Sequence, residues 1–366
     1  MGSAKKWNET AMLVIDMQRC GWLQKEFVDP NMSRLALPAG KAILSVVTEA
    51  VALARERGIF VVWVVREHDP AGRDVELFRR HFYSGGQKSP AVKGSKGAEL
   101  ADGLVIEEGD YKLVKTRFSS FFATPLDSVL KASRINNLVV VGVQTPNCIR
   151  QTVFDAVALD YEKVTVITDA TAAAEPEIHL GETEPPEPRK TKGPEAVTGL
   201  PLIRYKNMAR RPRKMFMTSN VVREHDPAGR DVQFFRRHYY TRGQKSPAVK
   251  GSKGAELAYG LVTQEGDYKL VKTRFSSFFA TLLNSVLKAS GIKNLVVVGI
   301  QTPNCIRQTV FDAVALDYEK ITVITDATAA ASPEIHLAST TILYPANITD
   351  MKNIGVKTPT LEEWSR

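Results

Sequence analysis

Cysteine is scarce in this chain: three thiols, Cys20, Cys148 and Cys305, among 366 residues. An odd count without the close spacing of a metal cluster argues against a disulfide framework and for a reducing compartment. Long apolar runs are missing as well. None approaches the roughly 20 residues of a membrane span, so no membrane partner is expected. Met1 to Thr10 holds no apolar core of a secretory signal, and the expected location is the cytoplasm. What remains, 43% hydrophobic and 24% charged residues, suits soluble globular domains, and the length gives room for two of them.

The net charge of +9 raises nucleic acid as a partner, but its distribution speaks against one. Nine Lys/Arg and four Glu fall between Gly181 and Lys214, so +5 of the +9 sits in one stretch that also holds six prolines. No interleaved aromatics or nucleic-acid motif accompany that charge. Residues 181–214 read as a solvated basic linker, and nucleic acid is not expected.

Residues 64–180 and 221–337 align without a gap at an offset of 157, and only 15 of the 117 positions differ. A unit this long is a partial duplication rather than a stacking repeat. Residues 1–63 occur only before the first copy and residues 338–366 only after the second, so neither copy carries both ends.

Within the first copy, Ala11–Ile15 and Ile59–Val65 are apolar strands. Between them runs an amphipathic helix with Ile43, Val46, Val47, Ala50, Val51 and Ala54 on one face, stopped by Gly58. Tyr111–Lys115, the run opening at Leu138 and Val164–Thr168 supply three more strands, separated by helical segments. This alternation predicts an α/β domain with a parallel sheet. Val356–Pro359 reads as a short last strand.

Three polar residues stand at the carboxyl ends of these strands: Asp16, Lys115 and, one short turn further, Cys148. Ligands of open parallel sheets bind outside those ends. Thr145-Pro146 reads as an N-cap followed by the first helical position, which puts Cys148 in a first turn where a thiolate is favoured. An acid, a cation and a thiol together suit nucleophilic hydrolysis. Asp takes the thiol proton and later returns it to a leaving amine, Lys holds the charges in place, and Cys attacks an acyl carbon. Each residue also has a bland reading: a turn cap, a surface lysine and a core cysteine.

Three segments then carry a resemblance. Leu13-Val14-Ile15-Asp16-Met17-Gln18, Lys115-Thr116-Arg117-Phe118-Ser119-Ser120-Phe121-Phe122 and Gly142-Val143-Gln144-Thr145-Pro146-Asn147-Cys148 resemble, in order, the signature segments of the isochorismatase-like cysteine hydrolases. Residues 8–180 as a whole are similar to a plant-type member. The resemblance implies a Rossmann-like three-layer sandwich with a mostly parallel sheet of order 3-2-1-4-5-6, followed here by a partial second copy. It implies an Asp16-Lys115-Cys148 triad, a thioester intermediate, and a cis peptide between Val143 and Gln144 that shapes an oxyanion site. Gln18, Phe118, Val143 and Gln144, from the same segments, are candidate substrate-binding residues. Trp22 and further phenylalanines are candidate pocket lining.

One departure matters. Nicotinamidase members have Asp-x-His after strand 2 as metal ligands, whereas this chain has Arg66-Glu67-His68. A permanent cation at 66 argues against a metal, so no metal or other cofactor is expected. Arg66 could clamp a substrate carboxylate, or simply pair with Glu67 or Asp69.

A cysteine is needed for acyl electrophiles but not for vinyl-ether hydrolysis of an isochorismate-like compound. The sequence therefore favours hydrolysis of a small amide, ureido or carbamoyl C–N bond. The rivals are that vinyl-ether chemistry and a duplicated, inactive protein with a binding or scaffold role. The expected organisation is a hydrolase domain over 8–180 lacking its last helix and strand, the linker over 181–214, and a truncated copy over 215–366. The truncated copy lacks strand 1 and carries the C-terminal strand. Its counterparts Lys272 and Cys305 are expected to be inactive. The expected partners are a small-molecule substrate and either a second chain in a homo-oligomer or the other copy within the same chain.

Overall fold

The computed structural model describes residues 7–19, 33–83, 91–173, 217–240, 248–258, 260–332, 335–336 and 347–366. The expected linker over 181–214, together with Cys20 and Trp22, lies outside them.

The valine-rich runs of the first copy form one five-stranded sheet. Its strands are β1 (Thr10–Ile15), β2 (Phe60–Arg66), β3 (Tyr111–Lys115), β4 (Asn137–Val143) and β5 (Lys163–Ala172). They lie in the order β3-β2-β1-β4-β5, all parallel. Helix α1 (Ser33–Glu56) covers one face, where Val47, Val51 and Ala54 meet Met12, Val14, Trp63 and Val141. Helices α2 (Leu126–Ala132) and α3 (Arg150–Ala158) cover the other, over Leu13, Ile15, Val64, Leu113 and Val140. Burial on both faces is why the central strands β1, β2 and β4 are continuous apolar runs, whereas the edge strand β3 alternates.

The second copy folds in two separate pieces. Among the described residues β6 (Ser219–Arg223) pairs only with β7 (Tyr268–Lys272), and β8 (Asn294–Ile300) only with β9 (Lys320–Ala329). Between them run α4 (Leu283–Ala289) and, after β8, α5 (Arg307–Ala315). α6 (Asn347–Asn353) and α7 (Leu361–Ser365) close the chain. The expected last strand contributes an isolated bridge, Lys357 to Thr322 at the edge of β9, so the sixth position is filled on the second copy.

The split has a plain cause: among the described residues no segment plays the part of β1. Gly142 and Gly299 show the vacancy. Both have a positive φ, 113° and 112°. A Cβ on Gly142 would clash with the Ile15 carbonyl oxygen of β1, whereas one on Gly299 would meet nothing within 4 Å. On β8 the side chains of Val296, Val298 and Ile300 are exposed.

The two copies pack through α3 and α5 with a local two-fold relation. Gln151 Nε2 donates to Asp312 Oδ1 at 3.1 Å, and Gln308 Nε2 returns the bond to Asp155 Oδ1 at 3.0 Å. Phe118 meets Phe311 at 5.4 Å between ring centroids, and Phe154 meets Phe275 at 5.3 Å. One hydrophobic cluster runs from Leu113 and Phe118 through to Val310 and Phe311.

Candidate active site

The parallel register sets the site. Ile15 lies level with Val64 of β2 and Gly142 of β4, and Arg66 level with Lys115 of β3. The residues that follow β1, end β2 and β3, and follow β4 therefore converge at the carboxyl edge. Asp16 leaves β1 in the left-handed region at φ 52°, which an aspartate tolerates better than most residues. Its Oδ2 accepts from Lys115 Nζ at 2.8 Å, and its buried Oδ1 has no hydrogen-bond partner.

Lys115 Nζ also lies 3.4 Å from Cys148 Sγ, and Arg66 Nη2 lies 3.5 Å from the same sulfur. Asp16, Lys115 and Cys148 thus meet, in a site where all three are buried. Cys148 follows a cis peptide at Val143–Gln144 and sits in a π-helical turn, Thr145–Ile149. The expected Thr145 cap does not form. Gln144 occupies the cap position without a side-chain bond, and Pro146 falls one place further along the turn. Val143 and Gln144 are buried, and the Gln144 amide oxygen accepts from Asn147 Nδ2 at 3.1 Å.

The expectation of an acidic thiol needs correcting. Burial, then the Asp16 charge, pushes the Cys148 thiol up, against the opposing pull of Lys115 and Arg66. The resting group is a thiol beside an acceptor.

Arg66 pairs with neither Glu67, which binds Lys112, nor Asp69, which binds Arg73. It faces the buried Glu76 at 3.4 Å and donates to the carbonyl oxygens of Thr116 (3.4 Å) and Arg117 (3.1 Å). Its guanidinium stands 5.6 Å above the Phe118 ring. Glu76 is held at about 2: burial opposes ionisation, but Arg79 and Arg66 outweigh it. Gln18 is spent on the backbone, exchanging bonds with Arg66 N (2.7 Å) and Arg66 O (2.9 Å) and donating to Ala98 O at 2.7 Å. It fixes the end of β2 and has no amide hydrogen left over.

At the end of β2 a cation stands where a metal would need a carboxylate. His68, two residues on, is held neutral, its pKa pushed down to about 2 by burial and then by Arg66. The next side chain toward the thiol is the Arg66 cation rather than a carboxylate. Among the described residues no three His, Cys, Asp or Glu side chains group to hold an ion.

Two contributors escaped the sequence reading, Glu76 and Arg117. A signal for the first was present: position 233, the counterpart of 76, is glutamine, one of the 15 differences between the copies.

In the second copy, Arg223 Nη2 lies 3.4 Å from Cys305 Sγ, and Lys272 donates to the Phe275 carbonyl oxygen. No described carboxylate pairs with Lys272. Burial pushes the Cys305 thiol up, yet Lys272 and Arg223 outweigh it, and the net shift is downward.

Comparison with known proteins agrees with this architecture. The isochorismatase domain model matches residues 10–184 and again 204–352. The chain is 61% identical over 177 residues to a probable inactive nicotinamidase of Arabidopsis thaliana, covering 48% of this chain and 87% of that protein. It is 31% identical over 190 residues to a ureidoacrylate amidohydrolase of Enterobacter sp. strain 638, covering 46% and 77% respectively. Among solved structures, an isochorismatase family protein from Desulfovibrio vulgaris shares 39% identity over 46% of this chain and 84% of that one, with a TM-score of 0.41. Two matches to one domain model, one over each copy of the duplication already visible in the sequence, leave a single assignment: the chain belongs to the isochorismatase family.

Proposed function

We propose that the first copy hydrolyses the C–N bond of a small amide, ureido or carbamoyl compound through a thioester on Cys148. The observation that carries this reading is the buried contact of Lys115 Nζ with both Asp16 Oδ2 (2.8 Å) and Cys148 Sγ (3.4 Å). In the first half-reaction the Cys148 proton passes to Asp16 as Sγ bonds to the acyl carbon. Collapse of the tetrahedral adduct breaks the C–N bond, and Asp16 gives the proton to the departing amine. In the second half-reaction Asp16 takes a proton from water, whose oxygen attacks the thioester, and thiol and acid are released. Backbone N–H groups between Gln144 and Cys148 stabilise the oxyanion. Lys115 and Arg66 stabilise the sulfur while it is anionic.

Because the Nη groups of Arg66 already have protein acceptors, its part is to hold the thiol rather than to clamp a free carboxylate. Phe118, Val143 and Gln144 form the wall against which the acyl group lies. The amidohydrolase name of the Enterobacter relative supports C–N chemistry. We place the reaction in the cytoplasm, where a free thiol survives.

A second reading draws on the name of the Arabidopsis protein, a probable inactive nicotinamidase: the fold retained without hydrolysis. Ammonia release from a panel of small amides and ureido compounds separates the two. Cys148→Ala should abolish release, while Cys305→Ala leaves most of it. Release that survives Cys148→Ala, or no release from any compound, rejects the thioester reading.

A further inference from the structure

The second copy touches the first site at its supports, and the most informative contact runs through Arg117. The Arg117 carbonyl oxygen accepts from Lys115 Nζ at 3.2 Å and from Arg66 Nη2 at 3.1 Å, the two cations that border Cys148. The Arg117 side chain is held from the other copy. Its Nη2 pairs with Asp317 Oδ2 at 3.0 Å, and its Nε donates to the carbonyl oxygen of Ala315, the last residue of α5, at 2.9 Å. Arg307 of the second copy also donates to the Pro146 carbonyl oxygen, inside the turn that carries Cys148. Asp317 binds Arg80 at 3.2 Å as well.

We propose that the second copy is a positioning subunit for the first site, with Asp317 acting through Arg117 to hold Lys115 and Arg66 against the Cys148 sulfur. This rests on the hydrolytic reading above for its activity arm only. The duplication supplies an internal control. Asp160 makes the mirror contacts, to Arg274 Nη2 at 2.8 Å and Arg237 Nη2 at 3.4 Å, and Arg274 donates to Ala158 O at 2.8 Å. If these pairs merely glue the copies together, Asp317→Asn and Asp160→Asn should act alike. If Asp317 is a positioning residue, only its loss is felt at Cys148.

The test uses the full-length chain. The two cysteines report separately, because their tryptic peptides differ at Val143 and Ile300. Asp317→Asn should slow iodoacetamide modification of Cys148 at neutral pH about threefold, the scale of a partly exposed ion pair. It should also lower kcat about fivefold with KM little changed, since a slackened site loses orientation more than binding. Asp317→Glu should restore both. Asp160→Asn should leave Cys148 unchanged and alter Cys305 instead. Equal effects of the two asparagine variants on Cys148, or none from Asp317→Asn, would overturn the proposal. A wild-type chain without hydrolysis would reject the functional reading alone, because the modification rates still decide this one.

Discussion

Cys148 and Cys305 share the context Gln-Thr-Pro-Asn-Cys-Ile-Arg, the same π-helical turn and a cis peptide four residues upstream, yet their thiols shift in opposite directions. Burial pushes both thiols up, more completely at Cys148, and the Asp16 charge adds to it only there. Around Cys148 the cations Lys115 and Arg66 are balanced by Asp16 and Glu76. Around Cys305, Lys272 and Arg223 remain, but Gln233 replaces the glutamate and no described strand delivers an aspartate. Burial still raises that thiol, but the two cations outweigh it. Almost all the residues of a nucleophilic site are present in the second copy, and the charge balance that suits proton transfer is absent. Acidity of a thiol and a charge balance that suits proton transfer are therefore different properties here.

The largest effect that sharpens this comparison comes from Asp16→Asn. It removes the proton acceptor, so hydrolysis should fall by about 10²–10⁴-fold, the usual contribution of a general acid–base group. It also removes the negative charge that raises the Cys148 thiol. Iodoacetamide should therefore modify Cys148 faster at neutral pH, as expected when a thiol becomes more acidic. Opposite movements of the two readouts are the expected signature. Parallel loss of both would mean that Asp16 only holds the structure together.

Stability should separate the copies next. Gly142→Ala drives a methyl group into the Ile15 carbonyl and strains a positive φ, whereas Gly299→Ala strains only the φ. We expect about 4 kcal/mol or more of destabilisation for the first and roughly 1–2 kcal/mol for the second. Chemical denaturation of the two variants measures the difference. Similar losses would mean that a segment does lie against Gly299.

Much of this arrangement is legible in the sequence because burial on both faces writes itself into composition. Val139–Val141 and Val61–Val65 can only be central strands, and the polar residue that ends each such run must fall at the sheet's carboxyl edge. The Asp16, Lys115 and Cys148 contact follows from that pattern together with the motif order. The pKa direction of Cys148 does not, because it depends on how completely the pocket excludes water, which no spacing records. Glu76 lies ten residues beyond Arg66 in an irregular segment without periodicity, so only its replacement by Gln233 pointed to it. Gln18 looked like a substrate contact because side-chain type does not say whether a backbone edge nearby will claim both ends. The contacts of Arg117 with Asp317 depend on how two copies dock, and a linear repeat carries no information on that geometry.

The smallest expected effect concerns the seam between the copies. Asp155 and Asp312 approach each other across α3 and α5, each accepting from the opposite glutamine. Burial pushes Asp155 up to about 7, and burial followed by repulsion from Asp155 raises Asp312 as well. The sign follows from which state holds the proton. Between the ordinary carboxylate range and about 7 the folded chain keeps a proton on Asp155 that the unfolded chain has released. The stabilisation is complete below that window and is lost as pH rises through it. Thermal unfolding should therefore occur at a lower temperature at about pH 8 than at about pH 5, by roughly 5 °C for this carboxyl in a domain of this size. Asp155→Asn keeps the bond from Gln308 and cannot ionise, so it should lessen that dependence while leaving hydrolysis nearly unchanged, and adding Asp312→Asn, which removes the second raised carboxylate, should flatten it. If the double variant keeps the full slope, the seam is not where the proton is held, and the pH response belongs to other carboxylates of the fold.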